Sequence, residues 1–198
     1  MDNESHVRGV DPVRHLRDDA LLGPIVERFG TLELVPADDF FSRFITSIIR
    51  QQVSIAAAQS IEQSLAESVE ISPAAIRTAD IATLRDAGLS GQKAETAHRV
   101  AQKFDDGEWR REQFDVLSNQ DVIDELTTVH GVGVWTAKMQ LMFSLGRPDI
   151  FPVEDLGIRR GMEIITDDTV SRSVMIERSE RWAPVRSIAS LYLWELTD

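Results

Sequence analysis

At 198 residues with 42% hydrophobic side chains, the chain can form one compact unit or two small lobes sharing a core, and it is too apolar to stay disordered. It has no cysteine, which excludes disulfides, thiolate catalysis, cysteine-held zinc and iron–sulfur clusters. Thirty-three acidic against 21 basic residues leave a formal charge of −12. Taken alone, that balance argues against a polyanionic partner. It also suits an acidic, halophilic-type surface, since lysine is scarce (Lys93, Lys103, Lys138).

No window reaches the roughly 18 apolar residues of a membrane span. The opening stretch MDNESHVRGVDPVRH lacks the apolar core of a signal peptide. The expected location is therefore the cytoplasm, with no membrane partner. His6, His15, His98 and His130 are scattered, and no pair has the spacing of a helical metal site.

In chain order, nearly everything reads as helix. A frayed N-terminus is followed by a helix capped by Asp18 or Asp19, running to Phe29 and stopped by Gly30. TLELV (Thr31–Val35) is the one short strand candidate. Asp38-Asp39 then opens FFSRFITSIIRQQ, whose Phe41, Phe44, Ile45, Ile48 and Ile49 recur at helical spacing. Ser54 starts IAAAQSIEQSLAES, and Ser72-Pro73 opens PAAIRTA with proline at the first helical position. Ser90 starts GQKAETAHRVAQKF, which Gly107 ends. SNQDVIDELTTV runs into a glycine turn, and WTAKMQLMFSLG follows it, stopping at Gly146 with Pro148 just beyond. EDLGIRRGMEII, SRSVMIERSERW and PVRSIASLYLWEL complete the chain.

The turn LTTVHGVGVWTAK is the most informative stretch. Gly131 and Gly133 permit a sharp reversal, and a helix that starts right after it aims its unpaired N–H groups and positive dipole end outward. Such an end binds anions, phosphate among them. A bare glycine also lets a sugar-phosphate backbone approach closely. By itself, G-x-G fits an ordinary two-helix turn as well. Asp155, directly before LGIRRG, reads on these grounds more readily as a plain helix N-cap than as a functional carboxylate.

The whole string resembles a helix-hairpin-helix element followed by a catalytic acid. Val129, Gly131, Val132, Gly133, Thr136, Ala137 and Asp155 match the pattern of the helix-hairpin-helix (HhH-GPD) DNA glycosylase superfamily, with His130 where proline is usual. FSRFITSIIRQQVSIAAAQSI, GLSGQKAETAHRVAQ, RPDIFPVEDLGIRRG and ERWAPVRSIASLYLW extend the likeness in order, toward the 3-methyladenine DNA glycosylase II branch. The resemblance implies an all-α fold: two helical lobes with a DNA-binding cleft between them and the hairpin at about 124–145. The expected organisation is a flexible segment over 1–17 and one glycosylase unit over 18–198, with hairpin and catalytic loop within 126–160.

The implied activity is base-excision repair of alkylated purines of the 3-methyladenine and 7-methylguanine type. Alternatives from the same reading are another lesion (hypoxanthine, uracil, 8-oxoguanine) or a non-catalytic DNA-binding module. By match, Asp155 is the catalytic carboxylate, with Glu154 secondary. Relatives that also cut the strand carry a lysine where this chain has Trp135; Lys138 lies three residues further on, so a monofunctional enzyme is expected. Aromatic faces for an extruded cationic base would come from Trp135 and Trp194, with Phe41, Phe44 and Tyr192 as further candidates and Trp182 as core. Gln51 and Gln52 would reach the flipped nucleotide. DNA contacts would come from Gly131, Val132, Gly133, Val134, Thr136, Lys138, Arg159 and Arg160, with Arg178, Arg181 and Arg186 clustering later. Carbonyls of Thr127, Val129 and Gly131 would hold a monovalent cation (Na+ or K+), and no organic cofactor is implied. The expected partner is double-stranded DNA with a damaged base, bound by a monomer.

Overall fold

A computed structural model describes residues 10–197. All regular structure among these residues is helical. In chain order the helices are α1 (Pro12–Arg17), α2 (Gly23–Phe29), α3 (Phe40–Arg50), α4 (Ile55–Ser68), α5 (Pro73–Thr78), α6 (Ile81–Asp86) and α7 (Gly91–Asp105). They continue as α8 (Arg111–Asp115), α9 (Asn119–Thr127), α10 (Val134–Phe143), α11 (Leu156–Thr166), α12 (Arg172–Ser179) and α13 (Arg186–Glu195), with a 3-10 turn at Glu180–Trp182. The chain divides into two compact units: Ala37–Leu145, and the stretch up to Pro36 joined with Gly146 onward. None of the described helices is long and apolar enough to cross a membrane.

The helix starts follow from local chemistry. Side chains of Asp39, Ser54, Ser72, Ser90, Ser118, Asp155 and Ser171 each accept a hydrogen bond from an amide three residues on. Each such cap is worth about 1 kcal/mol. Three expectations are corrected. TLELV forms no strand: no other strand exists among the described residues to pair with it, and it runs as an extended segment with Leu34 buried and Val35 exposed. Asp19 does not begin a helix. Its Oδ1 accepts from the amides of Leu21 and Leu22 in a turn, and α2 starts later, at Gly23. The expected flexible segment over 1–17 does not hold for its later part, which is helical over Pro12–Arg17. Residues 1–9 lie outside the described residues, but Asp11 caps α1, Pro12 opens it, and Leu16 is buried.

The unit Ala37–Leu145 is built on a cluster of rings. Phe40, Phe41, Phe44, Phe104, Trp109 and Phe114 meet at centroid distances of 5.2 to 6.2 Å. Edge-to-face and offset pairs of this kind add about 0.5–1.5 kcal/mol each beyond the area they bury. The Trp109 indole donates to Glu125 Oε1 at 2.8 Å, so its polar atom is satisfied. Against this cluster α3 packs on α7 and α10, and α9 and α10 form the hairpin.

In the other unit α11 lies directly on α13. A side chain at Gly161 would sit 2.5 Å from the Leu193 carbonyl, so the helices approach at backbone distance there. Tyr192 of α13 is buried, donating to Gly30 O at 2.7 Å and accepting from the Leu32 amide at 3.3 Å. That pair of bonds pins the chain leaving α2. Arg186 forks onto Asp149 at 2.6 and 2.7 Å, tying the start of α13 to the loop before α11. Trp182 is core, as expected, beside Phe151.

Candidate active site and hairpin

The hairpin begins where α9 ends. Thr128 closes that helix, the Val132 amide donates to Val129 O at 3.0 Å, and Gly133 is the N-cap of α10. The two glycines have different reasons to be there. Gly131 has φ +95°, a left-handed conformation that disfavours any side chain, and a Cβ on it would run into Thr96 Oγ1. Gly133 has φ −94° and ψ 173°, open to any residue, and a Cβ there would meet nothing within 4 Å. The fold therefore requires the first glycine but not the second. A bare residue at the exposed start of α10, with no side-chain cap, leaves a helix N-terminus open to approach.

Neighbouring side chains hold this turn from behind. Gln51 Nε2 donates to Gly131 O at 3.1 Å and to Thr136 Oγ1 at 2.8 Å. Thr96 Oγ1 lies 2.8 Å from Gln92 O and 3.2 Å from His130 O, its hydroxyl shared between them. The Lys93 ammonium donates to Ile49 O at 2.6 Å and Gln51 O at 2.7 Å. Neither Lys93 nor Thr96 stood out in the sequence for this role. The signal was a lysine and a threonine set three apart on the face of α7 that otherwise carries Ala97 and Val100.

Several expected contacts are corrected. Gln51 commits its Nε2 to the hairpin, with one N–H on Gly131 O and the other on Thr136 Oγ1 of α10. Thr136 and Val132 are buried, so any contact they make with a ligand runs through main chain. Phe44 is buried in the ring cluster, and Tyr192 is buried with its hydroxyl committed; neither presents a face to a base. Gln52 and Val134 are exposed, and Trp135 and Lys138 are half-buried.

The carboxylate is built the other way round. Asp155 follows a tight turn, its amide donating to Pro152 O at 2.9 Å, and it caps α11. Its Oδ1 accepts two hydrogen bonds, from the Ile158 amide and from the Trp194 indole N–H, each at 2.9 Å. Trp194 reaches it because residue 157 is glycine. A Cβ there would stand 2.8 Å from Trp194 Cδ1 and 3.1 Å from Asp155 Oδ1. Asp155 is therefore an N-cap, and an indole orients the same carboxylate. Trp194, expected as a ring for the base, is an N–H donor to this acid.

The family model for HhH-GPD superfamily base excision DNA repair proteins matches residues 45–184. The chain belongs to that superfamily. DNA-3-methyladenine glycosylase 1 of Schizosaccharomyces pombe is 31% identical over 162 residues, covering 78% of this chain and 71% of that protein. A solved structure of the same yeast's 3-methyladenine DNA glycosylase Mag1, in complex with abasic DNA, superposes with a TM-score of 0.88 at 27% identity, covering 95% of this chain and 97% of that one. A DNA-3-methyladenine glycosidase from Bacillus halodurans superposes at 0.77 with 31% identity, over 94% of this chain and 89% of that one.

The charged groups around this HhH-GPD carboxylate sort clearly. Glu154 pairs with Arg172 at 2.5 Å. Arg159 and Arg160 are exposed on α11, the first within 4.0 Å of Glu163. The later arginines are not a shared basic patch. Arg186 is spent on Asp149, whose hydrogen bonds hold its pKa above the ordinary value, and Arg181 lies 3.9 Å from Asp19. Arg178 is half-buried on α12.

Proposed function

We propose that this chain is a monofunctional DNA N-glycosylase that removes alkylated purines of the 3-methyladenine and 7-methylguanine type. The observation that carries the reading is the oriented carboxylate of Asp155, held by Ile158 N and Trp194 Nε1 in an HhH-GPD chain.

The damaged nucleotide leaves the stack so that its sugar meets the acid. As the bond from C1′ to the base nitrogen breaks, the electron pair leaves with the purine. A purine that was cationic through alkylation departs neutral and needs no strong general acid. Positive charge builds on the sugar, and the Asp155 carboxylate stabilises it. Water then bonds to C1′ and gives up its proton, with Asp155 the nearest base in this reading. The products are a free base and an abasic site. Trp135 stands where a lyase would carry its lysine, and its ring offers a face for a cationic base, worth about 0.5–2 kcal/mol.

The hairpin's share is phosphate contact through main chain, which suits a protein of formal charge −12. Its carbonyls also fit a monovalent cation. Val129 O and Gly131 O each accept a hydrogen bond, from Val132 N and Gln51 Nε2, and a carbonyl oxygen has a second lone pair. With Thr127 O they would hold Na+ or K+ beside a phosphate. The partner is double-stranded DNA bound by a monomer, and the place of work is the cytoplasm.

The test is a panel of duplexes with single lesions, run in high salt with wild type and Asp155→Asn. Wild type alone should release 3-methyladenine or 7-methylguanine, and borohydride should trap no enzyme–DNA adduct. Release of only hypoxanthine, uracil or 8-oxoguanine would redirect the substrate assignment. No release of any base would leave a DNA-binding module.

A further inference from the structure

The chain's three lysines would be natural phosphate contacts on so acidic a protein, yet Lys93 points its charge at the protein's own backbone. Its ammonium sits between the carbonyls of Ile49 and Gln51, at 2.6 and 2.7 Å. These belong to the last turn of α3 and its C-cap, where a helix leaves carbonyls unpaired and its dipole is negative. Just beyond, Gln52 takes φ +55°, a rare conformation outside glycine, so the chain leaves α3 through a strained corner. The residue that Lys93 grips by its carbonyl grips the hairpin by its side chain, since Gln51 Nε2 reaches Gly131 O and Thr136 Oγ1. One turn along α7, Thr96 reaches His130 O directly.

We propose that Lys93 is a positioning residue for the hairpin: by clamping the end of α3 it sets Gln51, and through Gln51 the turn that meets the DNA backbone. This rests on the reading that the hairpin binds DNA. Lys93 is half-buried, and burial pushes its pKa below the ordinary lysine value, as befits an ammonium turned inward rather than toward solvent. Two of its three donors are used on carbonyls. Thr96 and Lys93 thus make α7 the strut behind the turn, one contact direct and one relayed.

The experiment measures binding to a duplex carrying a tetrahydrofuran abasic-site analogue across a KCl series, with thermal melting in parallel. The variants are Lys93→Met, Gln51→Leu and their combination. Each single variant should weaken binding about tenfold, and the double should stay near that value instead of approaching a hundredfold, because both act along one path. The slope of log K against log salt should not change, since no phosphate contact is lost. The single-turnover excision rate at saturating enzyme should stay within about twofold of wild type.

Three results overturn the role of Lys93 while leaving the functional reading intact. One is wild-type binding by Lys93→Met. Another is a slope smaller by about 0.9, which would make Lys93 a direct phosphate contact. The third is multiplication of the two single effects. Lys93→Gln, which removes the charge and carries two amide N–H donors on a shorter side chain, is judged by the same criteria if Lys93→Met fails to fold. A wild type that binds no DNA overturns the functional reading and this role together, whereas a wild type that binds no better than Lys93→Met overturns the role alone.

Discussion

The hairpin and the Asp155 site use hydrogen bonds in opposite directions. At the hairpin, side chains serve the main chain: Gln51, Thr96 and Lys93 spend their polar atoms on carbonyls, and the exposed start of α10 is left without a side-chain cap. At Asp155 the donors serve a side chain, with the Ile158 amide and the Trp194 indole converging on one carboxylate oxygen. A surface that must grip any sequence is best made of backbone, which every nucleotide neighbour meets alike. A reacting group must be one particular atom, held still. The difference teaches that polar residues near a backbone grip are often its scaffold.

The comparison breaks first at Asp155. Asparagine is as good an N-cap as aspartate, so Asp155→Asn should melt close to wild type. Its excision rate should nonetheless fall by about a hundredfold to a thousandfold, with binding to an abasic-site duplex retained. A melting temperature that falls in step with activity would reduce Asp155 to a structural cap.

The paired glycines sharpen the other side. Gly131→Ala meets a left-handed backbone, costing about 1–2 kcal/mol, and an overlap with Thr96 that adds about 1–3 kcal/mol, so it should lower stability. Gly133→Asn should do the reverse. It supplies a capping oxygen where there is room for one, raising stability by a few tenths of a kcal/mol at about the scale of cap exchanges. It also puts a side chain over the helix start, so affinity for the abasic-site duplex should drop about tenfold or more. Melting curves and binding isotherms on the two variants separate the glycine that folds the turn from the one that leaves it bare.

What could be read in advance follows the range of each interaction. The helix starts at Asp39, Ser54, Ser72, Ser90, Ser118, Asp155 and Ser171 were legible because a cap reaches only three residues. Helices α1, α6 and α8 span six, six and five residues, too few to show a period, and went unread. TLELV carries strand-like residues but has no strand among the described residues to pair with. The turn and the acid were visible as a spacing. The duties of Gln51, Thr136, Phe44, Tyr192 and Trp194 were not, since the direction a side chain faces is settled by helices far off in sequence. Trp194 lies 39 residues from the acid that it bonds.

That indole gives the next test. Trp194→Phe keeps a ring and removes only the N–H donor to Asp155. A hydrogen bond to a charged group is worth about 1.5–3 kcal/mol, so the excision rate should fall about tenfold or somewhat more. Were the ring's service to a bound base the whole of its role, phenylalanine would substitute nearly as well. Gly157→Ala should mimic the loss, because its methyl would displace the indole while leaving the ring chemistry intact. Single-turnover rates on a 7-methylguanine duplex compare the two directly.

The smallest effect concerns the buried phenol beneath this region. Burial pushes the Tyr192 pKa above the ordinary phenol value, the Leu32 amide opposing that shift only in part. A folded-state pKa above the unfolded one means that the native state holds its proton longer. The stabilisation is complete below pH 10 and is lost as pH rises past the unfolded value and through the folded one. This is the chain's single tyrosine, so phenolate absorbance reports on it alone. The titration should have its midpoint above the free phenol's, and Tyr192→Phe should flatten the alkaline arm of the stability curve. A midpoint at the free value would mean that the phenol is open to water, and that the loop it pins through Gly30 and Leu32 is not fixed as described.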